Sequence, residues 1–171
     1  MRVLRITIVE NAIIKLSLVR PTTFDNIMAF VPPTLQPEHG YVLLIPVLMA
    51  IVHIWAGFKV GAARSKYGIH YPQMYAETSD ANFRAFNCVQ RAHQNVIENL
   101  AIFFALLVSS SVYRPGWAAI AGLVRVFGFI TYIHFYSTGV PEKRQLGTFG
   151  YLGLATSVGL TVEAAIRLLS A

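Results

Sequence analysis

The sequence predicts an all-α membrane protein, a bundle of four transmembrane helices. Three observations carry that expectation. Of 171 residues, 55% are apolar and only 13% are charged, where soluble domains carry about 25% charge. The apolar residues gather into four runs of roughly twenty, the length that crosses a bilayer as a helix. At that length only a helix satisfies its own backbone in lipid. A soluble bundle of buried helices would need polar outer faces that these runs lack. The apolar content also excludes disorder for the chain as a whole. The net charge of +6, in so apolar a chain, points to membrane orientation and an anionic ligand rather than to nucleic acid. A single Cys excludes an intrachain disulfide, and the five His form no HExxH or CxxC arrangement, so no metal site is expected.

Residues 1–37 read as an N-terminal extension and 38–171 as the membrane domain. Arg2, Arg5, Lys15 and Arg20 break the apolar stretches of the extension, and Pro21, Pro32, Pro33 and Pro37 follow. Three accounts stand: a surface-lying or disordered segment, a targeting leader without a clear cleavage site, or an over-long gene model with Met28 as the true start. The first span, 41–58, has no formal charge and holds Pro46, which a membrane helix tolerates. The second runs from about Phe86 to Tyr113, the third from Trp117 to Thr138, and the fourth from Leu146 to Leu169. Four spans bring the loops after spans one and three to one side. Lys59, Arg64, Lys66, Arg84, Arg91, Lys143 and Arg144 lie there, against Arg114, Arg167 and a more internal Arg125. The excess of cations places both loops in the cytosol.

Span two opens with more polar groups than a membrane entry needs. In FNCVQRAHQNVIENL, Arg91, Gln94, Asn95 and Glu98 fall at i, i+3, i+4 and i+7 and form one helical stripe. Ionisable residues at such depth face a protein interior or a wet cavity. The alternative is interhelical glue, with Arg91 paired to Glu98. Tyr132 and Tyr136 make a second polar set, read either as an aromatic belt or as site residues, with Lys143 and Arg144 just beyond. Arg64 and Lys66 end the first span, as snorkelling cations or as ligand contacts. All three sets reach the same membrane level. Together they suit a small zwitterion with several carboxylates and an amine, because guanidinium forks bind carboxylates in pairs of bonds. Glu98 would hold the amine. Cys88 reads as a passive small residue.

FNCVQRAHQNVIEN, ARSKYGIHYPQMY (63–75) and YSTGVPEKR (136–144) resemble, in order and spacing, the signatures of the MAPEG family, the membrane-associated proteins in eicosanoid and glutathione metabolism. Within it, the chain is most similar to the type-three microsomal glutathione S-transferases. The resemblance covers about residues 38–170. It implies a four-helix protomer, a homotrimer, and glutathione bound between protomers at the cytosolic end. Arg64, Arg91, Asn95 and Glu98 fall on positions that hold the tripeptide, and Tyr132 and Tyr136 on a tyrosine pair. His93 falls on a position often polar in the family, though it lies off the stripe and suits a trimer contact as well. Lys143 or Arg144 falls where an arginine activates the thiol, and Arg144 is favoured. The chain departs from the pattern at Phe129, where relatives often carry arginine, at Asn99 beside Glu98, and at Phe135. Arg125 sits one turn before Phe129 and is expected to lie too far towards the other side of the membrane to replace the missing arginine.

The implied activity is that of a membrane-bound glutathione transferase with glutathione peroxidase activity. Its second substrate would be a lipophilic electrophile or lipid hydroperoxide arriving from membrane lipid. The implied location is the endoplasmic reticulum membrane, with the mitochondrial outer membrane second. The rivals are a non-catalytic lipid-binding accessory protein of the same fold and a structural tetraspan protein.

Overall fold

The computed structural model describes residues 35–170; the extension therefore lies almost wholly outside the described residues. Four helices follow in order: α1 (His39–Tyr67), α2 (Phe83–Ser110), α3 (Pro115–Tyr136) and α4 (Gly150–Leu169), with a 3-10 segment, Pro141–Gly147, before α4. All four are long and apolar enough to cross a membrane.

Local sequence sets the ends. α1 stops at Gly68, whose left-handed φ of 70° a side chain would disfavour, and the Gly68 N–H bonds the Arg64 carbonyl. α3 starts on Pro115, whose missing N–H costs nothing at a first helical position. Only Ser111–Arg114 separate α2 from α3, so these two must run antiparallel. The helices form an up-down bundle in which α2 and α3 make the middle pair, each packed against both α1 and α4.

The main core lies between α1, α2 and α3. Ile45 and Met49 meet Phe103 and Leu107, with Val126, Phe129 and Ile133 from the third helix. α4 buries almost no large side chain; its buried residues are Gly150, Gly153, Ser157 and Ala164. The outward faces are apolar instead, with Leu43, Phe58 and Leu152 each at least 69% exposed. That inversion fits lipid as the surrounding solvent.

Two boundaries differ from expectation. α1 runs nine residues past the apolar run 41–58, and its 29 residues span about 43 Å against a hydrocarbon core of about 30 Å. The overhang carries Lys59, Arg64 and Lys66 and packs on the first turns of α2 through Val60, Ala63, Phe86 and Val89. The fourth helix begins at Gly150, not near Leu146, because 141–147 is wound as a 3-10 segment.

Candidate functional site

The site is built where α3 and α4 cross. Their backbones meet on glycine: a Cβ on Gly128 would stand 2.5 Å from the Gly150 Cα. Gly147 is as tightly placed, since its Cβ would lie 2.7 Å from the Tyr132 Cβ. This seam leaves α4 close to α3 while the polar start of α2 stands off, and a cleft of about 370 Å³ opens between them. Its walls include Arg91 and Asn95 from α2, Arg125, Phe129, Tyr132 and Tyr136 from α3, Arg144 and Gln145 from the 3-10 segment, and Tyr151 from α4.

Five residues expected from the sequence therefore share one cleft: Arg91, Asn95, Tyr132, Tyr136 and Arg144. Tyr136 is buried, and its ring meets that of Tyr132 edge-on with centroids 5.4 Å apart. The Arg144 guanidinium lies 5.8 Å from the Tyr136 ring and is otherwise exposed. Lys143, its neighbour in sequence, does not line the cleft. Glu98 is also outside the lining, bonded at 2.7 Å to Arg91, with both side chains more than 40% exposed.

Arg64 and His93 occupy a second cleft, about 380 Å³, together with Gln90, Tyr71 and Met74. Residues two apart on a helix point about 200° apart, so Arg91 and His93 necessarily face different sides of α2. Arg64 donates to the carbonyls of Gln73 at 2.7 Å and of Ile69 and Met74 at 3.5 Å, and its guanidinium stacks 4.3 Å from the Tyr71 ring. It staples the loop after α1. Asn87 fastens the same loop from α2 through two bonds to the backbone of Ala76, 2.8 and 2.9 Å. His93 meets His53 of α1 with ring nitrogens 3.3 Å apart, an intrachain partner for a side chain weighed as a trimer contact.

Arg125 corrects the sequence reading. It was expected to lie too far towards the other side of the membrane, yet it lines the cleft. Its guanidinium lies 4.2 Å from the Phe129 ring and 4.5 Å from the Tyr151 ring. Tyr151 and Gln145 were also missed. The signal for Arg125 was present, since an ionisable residue inside a span marks a functional site by default. Tyr151 had no comparable signal, because only the α3–α4 crossing brings it to the cleft.

Cys88 is buried beside Ala92 and Tyr136. No cluster of metal-ligating side chains occurs among the described residues. The cleft carries three guanidinium groups, and the only carboxylate paired with any of them among the described residues is that of Glu98. Two amides, Asn95 and Gln145, complete its polar wall. Such a lining fits a peptide-sized anion with more than one carboxylate.

Fold and cleft define a class first: a multi-pass α-helical membrane protein with a cationic cleft at its basic end. The profile of the MAPEG family matches residues 42–166, and the chain belongs to that family, which includes glutathione transferases. The chain is also similar to an uncharacterized protein of Synechocystis sp., 35% identical over 127 residues that cover 74% of this chain and 86% of the relative.

Proposed function

We propose that the protein is a membrane glutathione transferase with glutathione peroxidase activity, and that the α3–α4 cleft holds the glutathione. The observation that carries this reading is the placement of Arg144 over Tyr136 in the same cleft as Arg91 and Asn95. A free thiol has a pKa of about 8.5, so little is thiolate at neutral pH. A guanidinium within reach favours the anion, and a shift of one to two units corresponds to roughly 1.4–2.7 kcal/mol. Arg144 supplies that cation, and Tyr136 supports the sulfur by hydrogen bonding. The thiol proton leaves to water. The thiolate then opens an epoxide to a thioether and an alcohol. With a lipid hydroperoxide it attacks the outer oxygen, the O–O bond breaks and the lipid alkoxide leaves as the alcohol with a proton from water. The sulfenic acid left on sulfur condenses with a second glutathione to give the disulfide and water. The charged substrate enters from water and the apolar one from lipid, which accounts for the membrane setting.

The KR pair at 143–144 supports the type-three branch of the family. The division of the expected residues between two clefts supports a homotrimer in which the Arg64–His93 side of one protomer faces the Arg144 side of the next. In that assembly Arg64 acts through the loop it staples, and Glu98 and His93 approach glutathione from the joined surfaces. Family resemblance supports the endoplasmic reticulum membrane as the compartment, with the basic loops in the cytosol.

The test is turnover of a model electrophile and of a lipid hydroperoxide by the purified protein with glutathione. Arg144→Ala should lower kcat about 8- to 25-fold at about pH 7, the thiolate fraction lost when the pKa returns to about 8.5, while glutathione affinity falls much less. Absence of both glutathione-dependent turnover and glutathione-induced thermal stabilisation would overturn the enzyme reading. Equal losses of kcat and affinity in Arg144→Ala would leave Arg144 a binding residue only.

A further inference from the structure

The inner end of the cleft holds a cation without a counter-charge. Arg125 is 4% exposed, and no carboxylate among the described residues pairs with it. Its Nη2 donates to the Asn99 Oδ1 at 3.0 Å, the Tyr151 hydroxyl also lies within hydrogen-bonding reach of the guanidinium, and its Nε is buried with no acceptor. Asn99 is itself fixed, donating from Nδ2 to the Asn95 carbonyl at 2.8 Å. The two aromatic rings against the guanidinium, Phe129 and Tyr151, exclude water without neutralising the charge. A buried, unpaired ion is costly, and a bound anion with matching acceptors offsets that cost.

We infer that Arg125, held by Asn99, is the inner carboxylate receptor of the cleft and takes one of the two carboxylates of glutathione. The inference rests on the cleft being the glutathione site. Asn99 sits in the turn of the neighbouring helix facing Arg125. The guanidinium lies against the Phe129 ring, and the asparagine amide sets its orientation. Arg91 and Arg144 remain nearer the mouth for the other carboxylate and the sulfur. Arg125 is thus a binding residue, and its loss should act on affinity before chemistry.

The experiment is calorimetric titration of the full-length protein in nanodiscs with glutathione and with its two mono-amides, each lacking one carboxylate. The wild type should bind glutathione at least about tenfold more tightly than one of the amides, as expected for a charge-assisted pair. Arg125→Met should bind both ligands alike, at the amide's affinity. The same variant should raise the melting temperature of the ligand-free protein, because it removes an unpaired buried charge. A purely structural role for Arg125 predicts a lower melting temperature and unchanged discrimination, and that result would overturn the inference alone. A wild type that binds no glutathione would overturn the reading of the cleft and this assignment with it. If Arg125→Met does not fold, Asn99→Leu reads the same ratio: discrimination should shrink, and an unchanged ratio would count against the receptor.

Discussion

At the scale of single residues, chemistry in this protein follows environment more than residue type. Arg91 and Arg125 are both arginines on the cleft wall, yet Arg91 is paired in the open with Glu98 while Arg125 is sealed in with an amide. An exposed ion pair of long side chains adds little to stability. Glu98→Gln should therefore leave the melting temperature of the ligand-free protein nearly unchanged. If Glu98 holds the glutathione amine, the same variant weakens glutathione binding, and a thermal-shift titration reads both quantities in one series. The stripe Arg91, Gln94, Asn95, Glu98 was legible from helical spacing alone. The Arg91–Glu98 pair was weighed from the same spacing; what spacing could not convey was that Glu98 would lie outside the cleft lining.

At the scale of elements, the α3–α4 seam governs the cleft. Gly128 and Gly150 touch backbone to backbone, so any side chain at either must push α4 away. Gly128→Val should cost about 1–3 kcal/mol in a reversible denaturation assay, as overpacking does, and should reduce glutathione binding with it. Gly159 is the control, because nothing lies within 4 Å of a Cβ built there. Gly159→Ala should be neutral or slightly stabilising, since alanine is the better helix former by up to about 1 kcal/mol. The loop after α1 is a second such element, tied by Arg64 from one side and Asn87 from the other. Asn87→Ala leaves the Ala76 backbone unpaired at about 1–3 kcal/mol, and hydrogen exchange should quicken over residues 69–80. The four spans were readable from apolar run length, and Pro115 and Gly68 from cap chemistry. The overhang of α1 was not, because its last turns carry charge and are held by packing against α2 rather than by hydropathy.

For the whole molecule, the sorting of the expected residues into two clefts bears on assembly. Arg64 and Arg144 line different clefts. If neighbouring copies join those clefts, mixing two defective variants restores function. In a cyclic trimer of Arg64→Gln and Arg144→Ala protomers, every mixed ring contains one junction with both wild-type residues. The doubly tagged rings should then recover about a third of the wild-type sites. A site complete within one protomer recovers none. Co-expression with two affinity tags and a turnover assay on the doubly tagged fraction decides between them.

The membrane character, the number of spans, the basic end and the family were determined by sequence alone. Hydropathy, charge asymmetry and motif spacing are local or additive quantities that do not depend on how helices pack. Three features were decided by tertiary structure. Arg125 belongs to the cleft because its guanidinium is held against Phe129 and Tyr151, on two different helices. Tyr151 and Gln145 belong to it because glycines let α4 cross against α3. Arg64 and His93 fall in another cleft because α2 turns its two polar faces to different neighbours. Each depends on the approach and rotation of one helix against another, and those are set by the shapes of residues far apart in the chain.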